Sequence, residues 1–290
     1  MIKKWILAAR PRTLPASACP VFAGTAYAWA CGGFKCIPFL LCLVFALLAQ
    51  IASNFANDYY DYKKGSDGEK RVGPRRAVAS GDISPQAMLT VTVLTLGTAC
   101  ITGLFLLLYG GWWLIGAGIL IAIGALAYSA GPYPLSYKGL GDVAVFVFFG
   151  LVAVNLTYYV QVLHFDVSPL LGSIAIGLLS VNILMVNNYR DVEEDQRSGK
   201  RTIVVRFGRK FAYYAYLSNG FIAVVVTARV WFSYPLAGII LSLLFLIIHI
   251  VTWRGIGSHE GTNLNTFLGK TARNLLLFTL FLSFMLIFKF

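Results

Sequence analysis

Charge is scarce in this chain. Asp, Glu, Lys and Arg together make up 12% of its 290 residues, about half the share found in soluble domains. Acids are the scarcer sign, twelve against 24 bases, and histidine occurs only three times. So little charge excludes an ordinary soluble domain, and three scattered histidines exclude a histidine-built metal site. Any bound metal must then take oxygen ligands, which selects a hard cation such as Mg²⁺. Cysteine is also sparse. Cys19, Cys31, Cys36, Cys42 and Cys100 lie in or beside apolar runs and form no CxxC pair. They read as lipid-buried fillers, with a Cys31–Cys36 bridge left open.

What the chain has instead is apolar length: 58% hydrophobic residues and a mean hydropathy of +0.73. One large buried core does not account for this, because the apolar residues come in separate runs of bilayer-spanning length. Nine are predicted: Thr13–Ala30, Ile37–Asn57, Ser84–Tyr109, Trp112–Tyr128, Val143–Leu163, Ser168–Asn187, Tyr213–Trp231, Tyr234–Trp253 and Phe267–Phe288. In the last, Lys270 and Arg273 must snorkel. The expected architecture is a single all-α integral membrane domain over residues 1–290. The opening, with Lys3, Lys4 and Arg10 before a run ending Ala28-Trp29-Ala30, mimics a signal peptide. Eight further spans favour a retained first helix.

The formal charge of +12 is a matter of topology rather than of nucleic acid. With nine spans, 21 of the 24 Lys/Arg fall at the amino terminus and in the even-numbered loops, leaving Lys35, Arg229 and Lys289 on the other face. The positive-inside rule puts the amino terminus in the cytoplasm and the carboxyl terminus outside. Eleven of the twelve acids share the cytoplasmic side; Asp166 is the exception.

Those acids sit in an internal repeat. At an offset of 130 residues Asn57, Tyr59, Asp61, Lys70, Arg71 and Arg76 match Asn187, Tyr189, Asp191, Lys200, Arg201 and Arg206 without a gap. Four helices separate the copies, so the units are parallel: two four-helix repeats plus a ninth helix. Asn57 and Asp61 share one helix face, and Asn187, Asp191 and Asp195 continue the same spacing. Gln50 and Asn54 extend the first stripe into the bilayer, where polar groups face a bundle interior. Carboxylates collect divalent cations, and cations with Lys and Arg bind a diphosphate. Above an apolar bundle, this combination points to a lipid diphosphate.

At these residues the chain resembles the UbiA-type membrane prenyltransferases, nearest to the branch acting on 1,4-dihydroxy-2-naphthoate. The resembling stretches are Arg10-Pro11-Arg12-Thr13-Leu14-Pro15, Asn54 through Asn57-Asp58-Tyr59-Tyr60-Asp61 to Lys64-Gly65-Ser66-Asp67, and Arg71-Val72-Gly73-Pro74-Arg75. Gly131-Pro132, Gly139-Leu140-Gly141-Asp142, Asn187-Asn188-Tyr189-Arg190-Asp191, Asp195, Gly199-Lys200 and Thr202 follow in family order. The resemblance implies nine helices enclosing a lipid-accessible cavity, in the plasma membrane of a prokaryote. It also implies a polyprenyl diphosphate and an aromatic acid as substrates, giving demethylmenaquinone and CO₂. By the same resemblance Asn57, Asp61, Asn187, Asp191 and Asp195 hold Mg²⁺, with Asp58 and Asp67 as further candidates. One departure stands out: the superfamily often has an acid four residues beyond Asp61, where this chain has Gly65.

Lys138, Lys200, Arg71 and Arg76 are implied to grip the diphosphate, and Arg10 either orients the acceptor carboxylate or anchors helix 1. Tyr128, Tyr133 and Tyr158 are candidates to shelter an allylic cation through their ring faces, or are interfacial tyrosines. Asp142 reads as a helix N-cap. Asn155, Tyr158, Tyr159 and Gln161 either line the cavity or join helices. Two rivals remain: another acceptor such as 4-hydroxybenzoate, and a transporter of a phosphorylated metabolite, which would favour broken helices near the midplane.

Overall fold

The computed structural model describes residues 2–65 and 72–288, and every regular element among them is helical. The long helices are α2 (Pro15–Ala30), α3 (Cys36–Lys63), α4 (Pro85–Gly110), α5 (Leu114–Ala127), α6 (Gly141–Val162), α7 (Val167–Arg190), α9 (Ile203–Val226), α11 (Pro235–Gly257) and α12 (Leu264–Ile287). Short helices α1 (Ile2–Ala8), α8 (Val192–Arg197) and α10 (Ala228–Trp231) lie between or before them. All nine apolar runs are therefore helical. Six of the helices are long and apolar enough to cross a membrane: α3, α4, α6, α7, α11 and the stretch Gly261–Ile287 containing α12.

The other three fall short for separate reasons. The 16 residues of α2 and the 14 of α5 reach about 24 and 21 Å at 1.5 Å per residue, against a hydrocarbon core of about 30 Å. Helix α9 carries Arg206, Arg209 and Lys210 near its start, and its backbone breaks at Gly208, where φ is 82°.

Boundaries follow local chemistry. Ser84, Asp166 and Thr202 each cap a helix by accepting from Ala87, Ser168 and Val205 backbone N–H. Asp166 is thus committed to a cap. Within α6, residues Phe146–Val152 form a π-helical stretch. It crosses α7 so closely that a Cβ on Gly150 would stand 2.6 Å from Gly177 Cα and from Ser173 O. Only glycine permits that approach, and the widened turn swings Phe148 and Phe149 towards the cavities described below. Each repeat packs its second helix on its third, α3 on α4 and α7 on α9, while α12 packs against α2, α7 and α11.

Candidate active site

Helices α3 and α7 both end at one cavity of about 420 Å³ and deliver the repeated motifs to it. The stripe Gln50, Asn54, Asn57 and Asp61 lines it from α3; Asn187, Asn188 and Asp191 line it from α7, and Asp195 from α8. Asp61 is fully buried. Arg76 donates to its Oδ2 at 3.3 Å, the Tyr137 hydroxyl donates to Oδ1 at 3.1 Å, and Lys200 Nζ lies 3.7 Å away. Lys200 also lies 3.8 Å from Asp195, so one ammonium bridges acids from the two repeats.

The second motif is arranged differently. Arg190 donates Nε and a terminal nitrogen to the two oxygens of Asp191, each at 2.6 Å, and the same terminal nitrogen reaches Asn187 Oδ1 at 2.6 Å. Its other terminal nitrogen holds Asn265 at the start of α12. Arg10 plays the corresponding part in the first motif, donating to Asn57 Oδ1 at 2.8 Å, while Asn57 donates to Ser129 Oγ. Arg10 has φ 54° ahead of a proline, a conformation costing about 1–3 kcal/mol. Thr13 donates both its N–H and its hydroxyl to the Arg10 carbonyl and steadies it.

The predicted residues therefore divide. Asn57, Asp61, Asn187, Asp191, Asp195, Arg10, Arg76, Lys200 and Tyr128 surround one cavity. Asp58 also lines it, but accepts from the backbone N–H of Ala77 and Val78 at 3.1 and 3.2 Å. That contact folds the segment carrying Arg76 over the cavity. Lys138 lies outside, its ammonium 5.0 Å from the exposed Tyr133 ring. Tyr158 is at the opposite end of α6 and bonds His164 and Cys31. Neither Tyr133 nor Tyr158 can shelter a cation in this cavity, because loop and helix register carry them away from it. Asp67 and Arg71 lie outside the described residues.

Several site residues escaped the sequence. Tyr137, one position from the predicted Lys138, is clasped between Lys64 at 4.3 Å and Lys200 at 4.9 Å. Lys64 also donates to the Ser129 carbonyl at 2.7 Å. Burial lowers the Lys64 ammonium below the ordinary lysine value; Asp61 opposes that shift and Lys200 adds to it. Arg190 replaces Tyr60 of the first repeat, and that break in the repeat was the available signal. Asp142 is no cap: Leu140 occupies that position, and the carboxylate lines the cavity.

Oxygen donors on two helix ends suit a hard cation. Among the described residues no three Asp, Glu, His or Cys side chains converge on one point. Mg²⁺ tolerates this, since it commonly binds one or two carboxylates and completes its shell with substrate phosphates and water. Arg190 fills the space between Asn187 and Asp191 with a cation of the protein's own. Replacing it with glutamine strands a buried carboxylate at a cost of about 3–5 kcal/mol. We expect Arg190→Gln to melt well below the parent without metal and to recover more than the parent does when Mg²⁺ is added. Equal Mg²⁺-induced shifts in the two proteins would refute this.

A second cavity of about 340 Å³, nearly all apolar, lies between α3, α4, α5 and α6. It shares Gln50, Ser53, Tyr128, Val145 and Phe149 with the polar one. A charged chamber thus adjoins a greasy one, with Tyr128 in the wall common to both. Residues 17–271 match the model of the UbiA prenyltransferase family. The chain belongs to that family. Over 215 residues it is 41% identical to the 1,4-dihydroxy-2-naphthoate octaprenyltransferase of Haemophilus influenzae, covering 71% of this chain and 70% of the relative. It is 39% identical over 226 residues to the enzyme of that name in Escherichia coli, covering 74% and 73%. The fold matches a UbiA homolog from Archaeoglobus fulgidus, solved with DMAPP and Mg²⁺, with a TM-score of 0.67 at 19% identity over 98% of this chain and 99% of that one.

Proposed function

We propose that this UbiA-family prenyltransferase moves a polyprenyl group from its diphosphate onto 1,4-dihydroxy-2-naphthoate, releasing diphosphate and CO₂ and giving demethylmenaquinone in its reduced, hydroquinone form. The observation that carries this is the adjoining pair of cavities: acids and bases in one chamber, apolar walls in the next. A prenyl diphosphate has the same two halves. The relatives named for the naphthoate reaction support the choice of acceptor.

In this scheme Arg76 and Lys200, both beside Asp61 Oδ2, grip the diphosphate. Arg71, on the adjoining segment, is a further candidate. Asn57, Asp61, Asn187, Asp191 and Asp195 would hold Mg²⁺, which when bound neutralises charge gathering on the departing diphosphate. The tail lies among Phe45, Leu107, Phe148 and Leu156 in the apolar chamber. Tyr128, at the junction, presents its ring beside the carbon that becomes cationic. Arg10, Arg12 and Arg75 line the polar chamber and supply cations for the acceptor carboxylate.

Prenylation at the ring carbon bearing the carboxylate obliges that carboxylate to leave. With Mg²⁺, a polyprenyl diphosphate and carboxyl-labelled 1,4-dihydroxy-2-naphthoate, label should escape as gas in step with diphosphate release, leaving the lipid unlabelled. Label retained in the lipid, or consumption of 4-hydroxybenzoate alone, would refute the acceptor.

The nine helices are proposed as nine spans, with the amino terminus and both acidic loops cytoplasmic. A Ser198→Cys variant, otherwise cysteine-free, should react with an impermeant thiol reagent in inverted vesicles only. A variant retaining only the exposed Cys31 should react from outside. The reverse pattern would overturn the orientation.

A further inference from the structure

Asp142 stands apart from the acids of the two repeated motifs. Its side chain is 4% exposed, it lines the polar chamber, and its Oδ1 is buried with no hydrogen-bond partner among the described residues. The acids of the two repeated motifs are engaged: Asp61 with Arg76, Tyr137 and Lys200, Asp191 with Arg190, Asp195 with Lys200, and Asp58 with two backbone N–H groups. A buried carboxylate oxygen without a partner is costly, and such a group persists where a ligand completes it. Its place is also specific. Asp142 lies in the first turn of α6, whose positive end favours an anion. Neighbouring Gly141 approaches the Tyr128 hydroxyl, which a Cβ there would meet at 3.5 Å. Tyr128 stands where the two chambers join, so Asp142 faces the place where tail and acceptor must meet.

We infer that Asp142 is the catalytic base for the acceptor, holding the ring hydroxyl next to the acceptor's carboxylate-bearing carbon and taking its proton during prenylation. This rests on the acceptor proposed above. As the ring carbon attacks, the allylic carbon–oxygen bond breaks and its electron pair leaves with diphosphate. A new carbon–carbon bond forms from the ring's electrons. The adjacent hydroxyl becomes strongly acidic, its proton passes to Asp142, and a ketone remains beside a carbon carrying both prenyl and carboxylate. That is a β-keto acid. Its carbon–carboxylate bond then breaks, CO₂ departs, the electron pair restores the ring as an enolate, and Asp142 returns the proton to the oxygen. No oxidant is needed, and the base ends as it began.

The isosteric variant Asp142→Asn keeps the shape and loses the proton acceptor. Turnover should fall by about 10²–10⁴-fold, the usual contribution of general acid–base catalysis, while stabilisation by Mg²⁺ plus a prenyl diphosphate stays at the parent's level. Ring-halogenated dihydroxynaphthoates with more acidic hydroxyls separate a base from a structural part. The parent should respond weakly to acceptor acidity and Asp142→Asn steeply, so that the most acidic acceptor narrows the gap at least tenfold. Turnover of Asp142→Asn within threefold of the parent overturns the assignment alone. So does a loss that is the same for every acceptor, or one matched by lost Mg²⁺–diphosphate stabilisation. A parent enzyme that fails to release the carboxyl label overturns the acceptor, and this assignment with it.

Discussion

Asp61→Asn and Asp191→Asn should each reduce prenyl transfer by at least about 10²–10³-fold, the loss typical when one preorganised electrostatic group is removed from a reacting centre. Asparagine keeps the shape of each side chain, so the lost quantity is one negative charge. For Asp61 that charge anchors Arg76 and Lys200. Freed of it, both bases should still grip diphosphate, so turnover should fall while the KM for the prenyl diphosphate stays level or drops. Asp191 differs in degree, because the side chain of its partner Arg190 is 1% exposed, against 9% for Arg76 and 16% for Lys200. Neutralising Asp191 alone strands a guanidinium and lowers stability. The double variant Asp191→Asn/Arg190→Gln restores the charge balance and should regain thermal stability without regaining activity. Either single variant turning over at the parent rate, or full parent activity in excess chelator, would sink the Mg²⁺-holding role proposed for these acids.

The second large effect concerns the tail. Gly118 lines the apolar chamber, and a Cβ placed there meets no atom within 4 Å. Gly118→Phe therefore fills empty space instead of displacing a neighbour, and the fold should persist. Each isoprene unit shut out of an apolar site forfeits about 3–4 kcal/mol, at about 0.8 kcal/mol per buried carbon. Relative kcat/KM should then shift towards short diphosphates by two to three orders of magnitude, with ten-carbon donors still used and long polyprenyl donors rejected. Competition between a short and a long donor in one reaction reads this directly. An unchanged ratio would place the tail elsewhere.

Much of this protein was determined by local features of its sequence. Apolar runs of bilayer length fold into helices because no other element satisfies every backbone group in lipid. Spacing of four put Asn57 beside Asp61 and Asn187 beside Asp191 on their helices, and the polar stripe from Gln50 to Asp61 does line the interior. The repeat at 130 residues indicated that the two motifs share one end of the bundle, and their burial in one cavity agrees. Reach along the bilayer normal was less legible, since α2, α5 and α9 are helical yet short or charged at their ends.

Side-chain assignments that depend on loops were decided only by tertiary structure. Lys138 and Tyr137 are adjacent, yet the loop turns one outward to Tyr133 and the other onto Asp61. Arg76 and Arg206 are repeat equivalents, yet one is buried on Asp61 and the other caps the Lys138 carbonyl. Tyr158 shares a helix with Asp142, but a full helix length separates them across the bundle. Helical periodicity states which residues share a face over a few turns. It does not state how far along the axis a ligand lies, nor which way a loop side chain turns once its backbone groups find partners. Those choices are made by long-range contacts, and they are what place Arg190 between Asn187 and Asp191 and leave Asp142 facing the chamber.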